Sequence, residues 1–220
     1  MKMNKKMSEY RLVLFDMDGT LYYQRPLQLA MGLLMLKNAL CHKQGLLELI
    51  TVLKFRKMRE HWSDTEKLDT KLYEALSKER KISVEKAEDI IRKWIYDMPL
   101  QYLRRFRDDT LVEFVQNLQD KEVTTVVYSD YPTEDKQKVL EIPDVPGFYG
   151  GQAEIGALKP DAKGIRYIMK HYGIEDKNEV LMVGDRMSKD GLAAENAGVD
   201  YLILKKYKWM RKKQYKNLPI

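Results

Sequence analysis

The sequence contains a single cysteine, Cys41, and no long apolar run. One cysteine excludes an internal disulfide, so we expect an intracellular, cytoplasmic protein in which the thiol stays reduced. The lysines of residues 1–10 are not followed by the apolar core that a secretion signal needs. The longest apolar stretch, Leu27 to Leu36, is much shorter than the roughly 20 residues that cross a bilayer. We therefore predict no transmembrane segment, and a buried helix at Leu27 to Leu36.

The sequence also lacks internal repeats and Gly/Ser-rich linkers. Its 220 residues, 44% of them hydrophobic, can form one substantial core, or a core with a smaller lid. The net charge of +6 arises mostly near the two ends, where tyrosine and tryptophan interrupt the C-terminal basic segment. That segment could contact nucleic acid or an anionic membrane. We favour a solvated terminal helix that attracts anionic metabolites. The basic residues concerned are Lys2, Lys5, Lys6, Lys205, Lys206, Lys208, Arg211, Lys212, Lys213 and Lys216.

One stretch organises the chain: an apolar strand pattern from Arg11 that ends in Asp16-Met17-Asp18-Gly19-Thr20-Leu21. Gly19 allows the backbone to leave strand geometry at once, so both carboxylates can approach one ligand. Crowded carboxylates are costly unless a cation or a shared proton relieves the repulsion. An ordinary turn after a strand is the alternative interpretation.

Helical spacing dominates the next eighty residues. It predicts helices at 27–39, 45–62, 63–78 and 83–96, with Ser83 opening the last of them and Pro99 ending the helical block. Basic and aromatic side chains on these helices are candidate substrate contacts, although charged residues on helices are usually solvated. The candidates are Arg56, Lys57, Arg59, His61 and Trp62.

From Leu111 onward, helical and strand patterns alternate. Strands are predicted at 123–128, 180–183 and 201–204, with helices at 111–118, 161–172 and 188–197, the last closed by Gly198. Such alternation implies right-handed crossovers and a parallel sheet covered on both faces. Ligands of such sheets bind at the carboxyl ends of the strands. Asp16, Ser129 and Asp185 each follow a predicted strand, so we expect them at one edge.

Three further segments carry polar groups suited to phosphate and metal. A hydroxyl such as Ser129 beside helix-opening N–H groups suits a dianion, and equally caps a helix. Lys159 precedes Pro160 and can hold a phosphate, with Lys163 as its competitor. Asp185 and Asp190 offer hard oxygen ligands for magnesium, or acidic groups at a helix N-terminus.

These segments resemble, in order, the four motifs of the haloacid dehalogenase-like (HAD) superfamily: Asp16-Met17-Asp18-Gly19-Thr20, Tyr128-Ser129-Asp130, Leu158-Lys159-Pro160 and Val183 to Asp190. The resemblance implies an α/β, Rossmann-like three-layer core of residues 1–21 and 105–220, and an all-helical cap domain of residues 22–104. It implies Asp16 as nucleophile and Asp18 as general acid and base. Ser129 and Lys159 would bind the phosphoryl group, and Asp16, Asp18, Asp185 and Asp190 would hold Mg²⁺, Asp18 through its carbonyl and Asp190 through water.

The implied function is a magnesium-dependent phosphatase that hydrolyses a small phosphorylated metabolite through an aspartyl-phosphate. The resemblance disfavours dehalogenases and cation pumps, which lack the second aspartate at this place. A phosphomutase uses the same motifs and differs in how well its cap excludes water. A non-catalytic nucleic-acid-binding or scaffolding protein on this fold is the remaining, disfavoured alternative. The sequence specifies neither substrate nor oligomeric state, and we expect the cap to select the substrate as a mobile lid.

Overall fold

The computed structural model describes residue 3, residues 5–60 and residues 68–218 of the chain. The chain divides into two compact units. One combines Met1–Arg25 with Phe106–Ile220, and the other is Pro26–Arg105. In the parts of the chain that the structure describes, no helix is long and apolar enough to span a membrane.

A five-stranded sheet forms the centre of the first unit, with the strand order β3-β2-β1-β4-β5. Every neighbouring pair is parallel, which confirms the α/β class expected from the alternating pattern. Strand β3 was not predicted, because its three residues are too short to show a period of two. The strands are β1 (Leu12–Phe15), β2 (Thr124–Ser129), β3 (Gly147–Tyr149), β4 (Val180–Gly184) and β5 (Asp200–Ile203).

Most helices were predicted, with bounds that differ by several residues, but α5 and α7 were not predicted. In the first unit, the predicted 161–172 and 188–197 helices are shorter, the latter because a separate turn at Met187–Gly191 precedes it. The helices are α1 (Gln24–Cys41), α2 (Gly45–Glu60), α3 (Leu68–Arg80), α4 (Val84–Ile91), α5 (Met98–Leu103), α6 (Asp109–Asp120), α7 (Glu134–Val139), α8 (Lys163–His171), α9 (Leu192–Ala197) and α10 (Lys208–Tyr215).

Strand β1 lies at the centre of the sheet and is buried along its whole length. Its alternate residues Leu12 and Leu14 join a core cluster with the apolar faces of α8 and α9, including Ile165 and Ala194. Helix α6 contributes further buried apolar residues and contacts β2. A central strand buried in this way fixes the position of the segment that follows it.

The second unit consists of helices with a polar junction among α1, α2 and the turn after α4. Glu48 Oε2 accepts hydrogen bonds from Asn38 Nδ2 at 2.9 Å, Lys93 Nζ at 2.8 Å and Trp94 Nε1 at 2.7 Å. These charge-assisted bonds join three helical segments that are separate in sequence. Phe55 and Tyr73 stack between α2 and α3 with their ring centroids 5.9 Å apart.

Two details at the end of this helical block test the sequence predictions. Ser83 does cap its helix: its hydroxyl accepts from the backbone N–H of Lys86 at 3.2 Å. The prediction that Pro99 ends the block was wrong, because the helical turn Arg92–Asp97 leads directly into α5, which contains Pro99 and continues to Leu103. His61 and Trp62, two of the candidate substrate contacts, lie outside the described residues.

The stretch Leu27 to Leu36 is helical as predicted, but only one side of it is buried. Leu27 and Met31 face inward, whereas Leu29, Leu33 and Leu36 are exposed. The expectation of a buried helix is therefore correct for one side of α1 and wrong for the other.

The C-terminal basic segment forms the expected terminal helix with exposed lysines, but Arg211 and Tyr215 depart from that expectation. Helix α10 exposes Trp209 but buries Arg211 completely and Tyr215 almost completely. The charge of Arg211 is thus inside the first unit and unavailable to nucleic acid or to a membrane.

Candidate active site

Three adjacent strands end where the predicted site residues begin. In the sheet, Phe15 of β1 is paired with Val127 of β2 and with Val183 of β4. Asp16 follows β1 directly, and its N–H donates to the carbonyl of Val183 at 2.8 Å. Ser129 ends β2, and Asp185 follows β4. The carboxyl ends of the three strands therefore bring these residues to one edge, as expected for a parallel sheet.

A buried lysine joins two of the predicted aspartates. Lys159 Nζ donates to Asp16 Oδ1 at 2.5 Å and to Asp190 Oδ1 at 2.6 Å. It also donates to the carbonyl oxygen of Tyr128 at 3.3 Å. All three charged groups are buried, so the ammonium offsets repulsion that two desolvated carboxylates would otherwise suffer. Lys163, the alternative lysine, is exposed on α8.

Asp190 turns back from the Met187–Gly191 turn towards the end of β4. Its Oδ2 accepts from the backbone N–H groups of Asp185 at 3.2 Å and Arg186 at 3.0 Å. Gly184 makes this approach possible, because a Cβ added there would lie 2.3 Å from the Cβ of Asp190. Glycine at this position is thus required by the packing of the site.

Asp16, Asp185 and Asp190 form a group suited to a cation. One carboxylate oxygen from each lies within 4.8 Å of the others, and all three residues are buried. Among the residues that the structure describes, Asp185 Oδ1 has no hydrogen-bond partner although it is buried. A buried carboxylate oxygen without a partner costs free energy, and a hard divalent cation bound to that oxygen would remove the cost. The donor set therefore fits Mg²⁺.

The pKa values reflect the same crowding. Burial, followed by the charge of Asp190, raises the pKa of Asp185 to about 6. Burial and Asp190 also raise the pKa of Asp16 well above its ordinary value, against the opposing effect of Lys159. Burial would lower the pKa of Lys159, but Asp16 and Asp190 outweigh it and raise that pKa. The lysine is thus a fixed positive charge.

Asp18 has different partners from Asp16. Lys136 Nζ donates to Asp18 Oδ1 at 2.6 Å, and the Tyr22 hydroxyl donates to the same oxygen. Burial would raise the pKa of Asp18, but Lys136, Tyr22 and Lys159 together outweigh it and lower that pKa. The two aspartates of the first motif therefore have pKa values shifted in opposite directions.

Gly19, which follows Asp18, adopts a backbone conformation open to few other residues, with φ at +95°. A Cβ added there would also lie 2.5 Å from Asp185 Oδ2. Both the conformation and the close approach require glycine. The position brings the loop after β1 against the acidic group at the end of β4.

Ser129 and its neighbour Asp130 make hydrogen bonds at the carboxyl end of β2, next to the segment that carries Lys159. The Ser129 hydroxyl accepts from the backbone N–H of Tyr131 at 3.1 Å, a contact within the turn after β2. It does not cap the next helix, because α7 has Thr133 as its N-cap. Asp130 Oδ1 accepts from the backbone N–H of Lys159 at 2.9 Å. Asp130 thus holds the segment that carries Lys159 against the end of β2.

Sequence reasoning assigned no role to four residues that contact this site or its loop: Tyr22, described above, and Thr20, Lys136 and Arg211. Thr20 donates from its hydroxyl to Asp16 Oδ2 at 2.9 Å, and its i+4 spacing from Asp16 was a signal available in the first motif. Lys136 was one of 39 basic residues and lies on α7, a helix that was not predicted. Arg211 was assigned to a solvated segment.

Arg211 binds the backbone of the loop that carries both aspartates. Its guanidinium donates to the carbonyls of Gly19 and Thr20, each at 2.7 Å, and to Lys205 O at 3.0 Å. It also donates to Asp108 Oδ2 at 2.9 Å, an oxygen that accepts from the Tyr215 hydroxyl at 2.8 Å. The planar guanidinium presents several N–H donors in a fixed arrangement and so reaches all of these acceptor oxygens. The single ammonium of a lysine could not do so.

Comparison with known proteins gives related structures. The structure of the HAD-hydrolase YfnB from Bacillus subtilis bound to magnesium is 16% identical, with a TM-score of 0.61; the match covers 96% of this chain and all of that one. A 2-haloacid dehalogenase from Pseudomonas syringae pv. Tomato is 16% identical, with a TM-score of 0.61, over 89% of this chain and 86% of its own. A predicted phosphoglycolate phosphatase from Haemophilus somnus is 21% identical, with a TM-score of 0.52, over 90% and 86%. These likenesses establish the fold.

A search of curated proteins gave no significant match. The family model of haloacid dehalogenase-like hydrolases matches residues 10–198, which include all four motifs. The fold, the edge at which the motifs meet and the extent of this match agree, and the chain belongs to the haloacid dehalogenase-like hydrolase family.

Proposed function

We propose that this hydrolase is a magnesium-dependent phosphatase that acts on a small phosphorylated molecule through an aspartyl-phosphate. The observation that carries the proposal is that two carboxylates in one loop, those of Asp16 and Asp18, have different hydrogen-bond partners. Asp16 contacts a buried ammonium beside an acidic group with an unpaired oxygen, whereas Asp18 contacts Lys136 and Tyr22. The surroundings of Asp16, beside the ammonium of Lys159, suit a nucleophile that attacks phosphorus. The surroundings of Asp18 suit proton transfer.

Asp18 distinguishes this proposal from a dehalogenase. Hydrolysis of a phosphate ester requires a proton for the leaving oxygen and removal of a proton from the attacking water. Halide departure requires no proton. The separate hydrogen-bonded environment of Asp18 therefore supports phosphoryl transfer, and it is the reason that we do not extend the dehalogenase activity of the Pseudomonas syringae relative to this chain.

In the proposed first step, an Asp16 oxygen attacks phosphorus and the P–O bond to the leaving group breaks. In the second step, water attacks the same phosphorus and the bond to Asp16 breaks, which restores the carboxylate and releases phosphate. Lys159 and the Ser129 hydroxyl would bind the equatorial oxygens. Thr20 would orient Asp16 through its contact with Oδ2.

The lowered pKa of Asp18 gives a carboxylate in the free protein, which is the form that the second step needs to accept a proton from water. The first step needs the protonated form. A phosphoryl group brought close to Asp18 adds negative charge and so raises the pKa of that carboxyl. Asp18 would therefore take up its proton when substrate binds, and donate it to the leaving oxygen.

Mg²⁺ would be held by the carboxylates of Asp16 and Asp185, with the carbonyl of Asp18, and Asp190 would act through water. When bound, it would offset negative charge on the phosphoryl oxygens. The unpaired Asp185 Oδ1 supports this assignment. Residues 1–21 and 105–220 are the catalytic domain of the proposal, and residues 22–104 are its cap.

The test is phosphate release from an aryl phosphate and from a panel of phosphorylated metabolites, with magnesium present. We expect Asp16→Asn to lower turnover by at least about 1,000-fold, because the nucleophile is removed with little change in volume. Asp144→Asn makes the same chemical change at an exposed position and is the matched control. Acid-quenched wild type should carry a phosphoryl group that Asp16→Asn lacks. Substantial turnover by folded, magnesium-loaded Asp16→Asn would refute the proposal.

A further inference from the structure

The C-terminal basic segment, residues 205–216, contains the whole net positive charge of the chain. It has seven basic residues and no acidic one, which leaves 32 lysines and arginines against 33 acidic residues in the rest of the sequence. Arg211 is buried, and the other six basic residues are exposed lysines. None of these six lysines forms an ion pair with any residue that the structure describes. Their charges therefore face solvent and can attract a partner with several negative charges.

This segment begins at the edge of the sheet where the candidate active site lies. Strands β4 and β5 are parallel, and Gly184, the last residue of β4, is paired with the last residue of β5. The Leu204 N–H then donates to the Gly184 carbonyl at 2.7 Å. Burial and Asp190 raise the pKa of the Asp185 carboxyl, and nearby positive charges, including that of Lys206, oppose the rise. The basic segment therefore adjoins the acidic group at the end of β4.

Helix α10 places an exposed aromatic ring among these lysines. Trp209 is 69% exposed, and Lys212 and Lys213 follow it at the i+3 and i+4 positions, so the three side chains are neighbours on the outer face of the helix. Tyr207, directly before the helix, is 48% exposed. The exposed Arg25 adds another positive charge, with its guanidinium 4.8 Å from the centroid of the Tyr207 ring. Cations interleaved with exposed rings suit a ligand that has both phosphates and unpaired bases.

We propose that the C-terminal basic segment binds the internal phosphates and bases of a short single-stranded oligonucleotide whose terminal phosphate enters the site of Asp16. This substrate class rests on the phosphatase function proposed above. The terminal phosphate would be released in the same two steps, with a nucleoside oxygen as the leaving group. The lysines would contact phosphodiesters, and Trp209 would stack on a base.

The extent and composition of the surface favour an oligonucleotide over a mononucleotide or a membrane. Helix α10 has eight residues and is about 12 Å long, so its lysines extend the positive surface well beyond the space of one phosphate. A helix that binds a bilayer buries a continuous apolar face in it. Trp209 is the one large apolar side chain that α10 exposes, and its opposite face is buried in the first unit through Arg211 and Tyr215.

The experiment measures phosphate release by the full chain with magnesium. The substrates are an aryl phosphate, single-stranded oligonucleotides of about eight nucleotides with a 5′- or a 3′-phosphate, and the matching mononucleotides. At low salt, we expect kcat/KM to be at least about 10-fold higher for one of the oligonucleotides than for its mononucleotide.

Replacement of two lysines on the outer face of α10 tests where this advantage arises. Lys212→Gln with Lys213→Gln should remove most of it and leave kcat/KM for the mononucleotide and the aryl phosphate unchanged. Lys170→Gln with Lys177→Gln makes the same chemical change at two exposed lysines outside the basic segment and is the matched control. It should leave kcat/KM for every substrate unchanged.

Two further measurements separate the charges from the ring. In a plot of log kcat/KM against log salt concentration for the oligonucleotide, the slope should become shallower by about 1.4 in Lys212→Gln with Lys213→Gln, because each contact with a single strand contributes about 0.7. Trp209→Ala should lower kcat/KM for the oligonucleotide by at least about 5-fold, because one stacked base is lost.

The aryl phosphate distinguishes failure of this proposal from failure of the phosphatase function. If the aryl phosphate is hydrolysed but the oligonucleotide has no advantage, or keeps it in Lys212→Gln with Lys213→Gln, the proposal is overturned and the phosphatase function stands. No phosphate release from any substrate would refute both. Wild type that cosediments with anionic vesicles and shows no oligonucleotide advantage would overturn the proposal in favour of a membrane surface.

Discussion

Replacing Arg211 by methionine should destabilise the protein severely. Methionine keeps much of the apolar stem but removes the guanidinium, which is fully buried and donates to Gly19 O, Thr20 O, Lys205 O and Asp108 Oδ2. Removal of one partner from a buried ion pair costs about 3–5 kcal/mol, because the other charge stays desolvated. A domain has only about 5–15 kcal/mol of stability in total, so this loss is large.

The measurement is urea-induced unfolding of wild type and Arg211→Met, followed by circular dichroism. In the variant, Asp108 keeps hydrogen bonds from the Tyr215 hydroxyl and the Leu111 N–H, which do not replace a positive charge. Adding Asp108→Asn should therefore recover part of the lost free energy of unfolding, because it neutralises the unpaired carboxylate. A cost below about 1 kcal/mol for Arg211→Met, or no recovery in the double variant, would refute this reasoning.

Asp18→Asn should slow the hydrolysis of alkyl phosphates at least about 10-fold more than it slows the hydrolysis of aryl phosphates, because aryl leaving groups need less protonation. If both substrates lost activity equally, Asp18 would not be the general acid. Chelation of magnesium should abolish phosphate release, and full activity in chelator would contradict the metal site. Asp185→Ala should raise the magnesium concentration needed for half-maximal activity by at least about 10-fold. In metal-free protein, the pKa of Asp185 is raised from 3.8 to about 6. The folded state therefore binds this proton more tightly than the unfolded state does, so Asp185 destabilises the fold as the pH rises from about 4 to about 6. Relative to wild type, Asp185→Asn should therefore gain on the order of 2 kcal/mol in unfolding free energy between pH 4 and pH 7, measured by urea titration in chelator; a pH-independent difference would show that the carboxyl is not desolvated.

The sequence predicted those parts of the site that local chemistry determines. Asp16 and Asp185 directly follow strands whose apolar runs are unambiguous, and a parallel sheet must bring its carboxyl ends together. Asp190 lies in the turn just after Asp185 and belongs to the same motif. Lys159 could be selected over Lys163 because it precedes Pro160 between two motifs. In each case, a pattern of a few neighbouring residues contained the information.

Other parts depend on contacts that no local pattern contains. Lys136 reaches Asp18 across 118 positions, and nothing in its own segment separates it from other lysines. Helix α7 has six residues, and strand β3 has three, so neither shows a clear period. The burial of Arg211 depends on the tertiary position of Asp108 and of the Gly19 carbonyl. The exposure of Leu33 was missed for the opposite reason, since apolar composition was taken to mean burial.

The contact between Arg211 and the loop after β1 has a consequence for the order in which the protein forms during synthesis. The guanidinium and the Gly19 carbonyl are 192 positions apart in the chain. At the usual translation rates, Arg211 is made roughly 10 to 40 s after Gly19. Until then, a nascent chain can pair its early strands but has no group to bind the Gly19 and Thr20 carbonyls. The loop that bears Asp16 and Asp18 is therefore synthesised well before the arginine that binds its backbone.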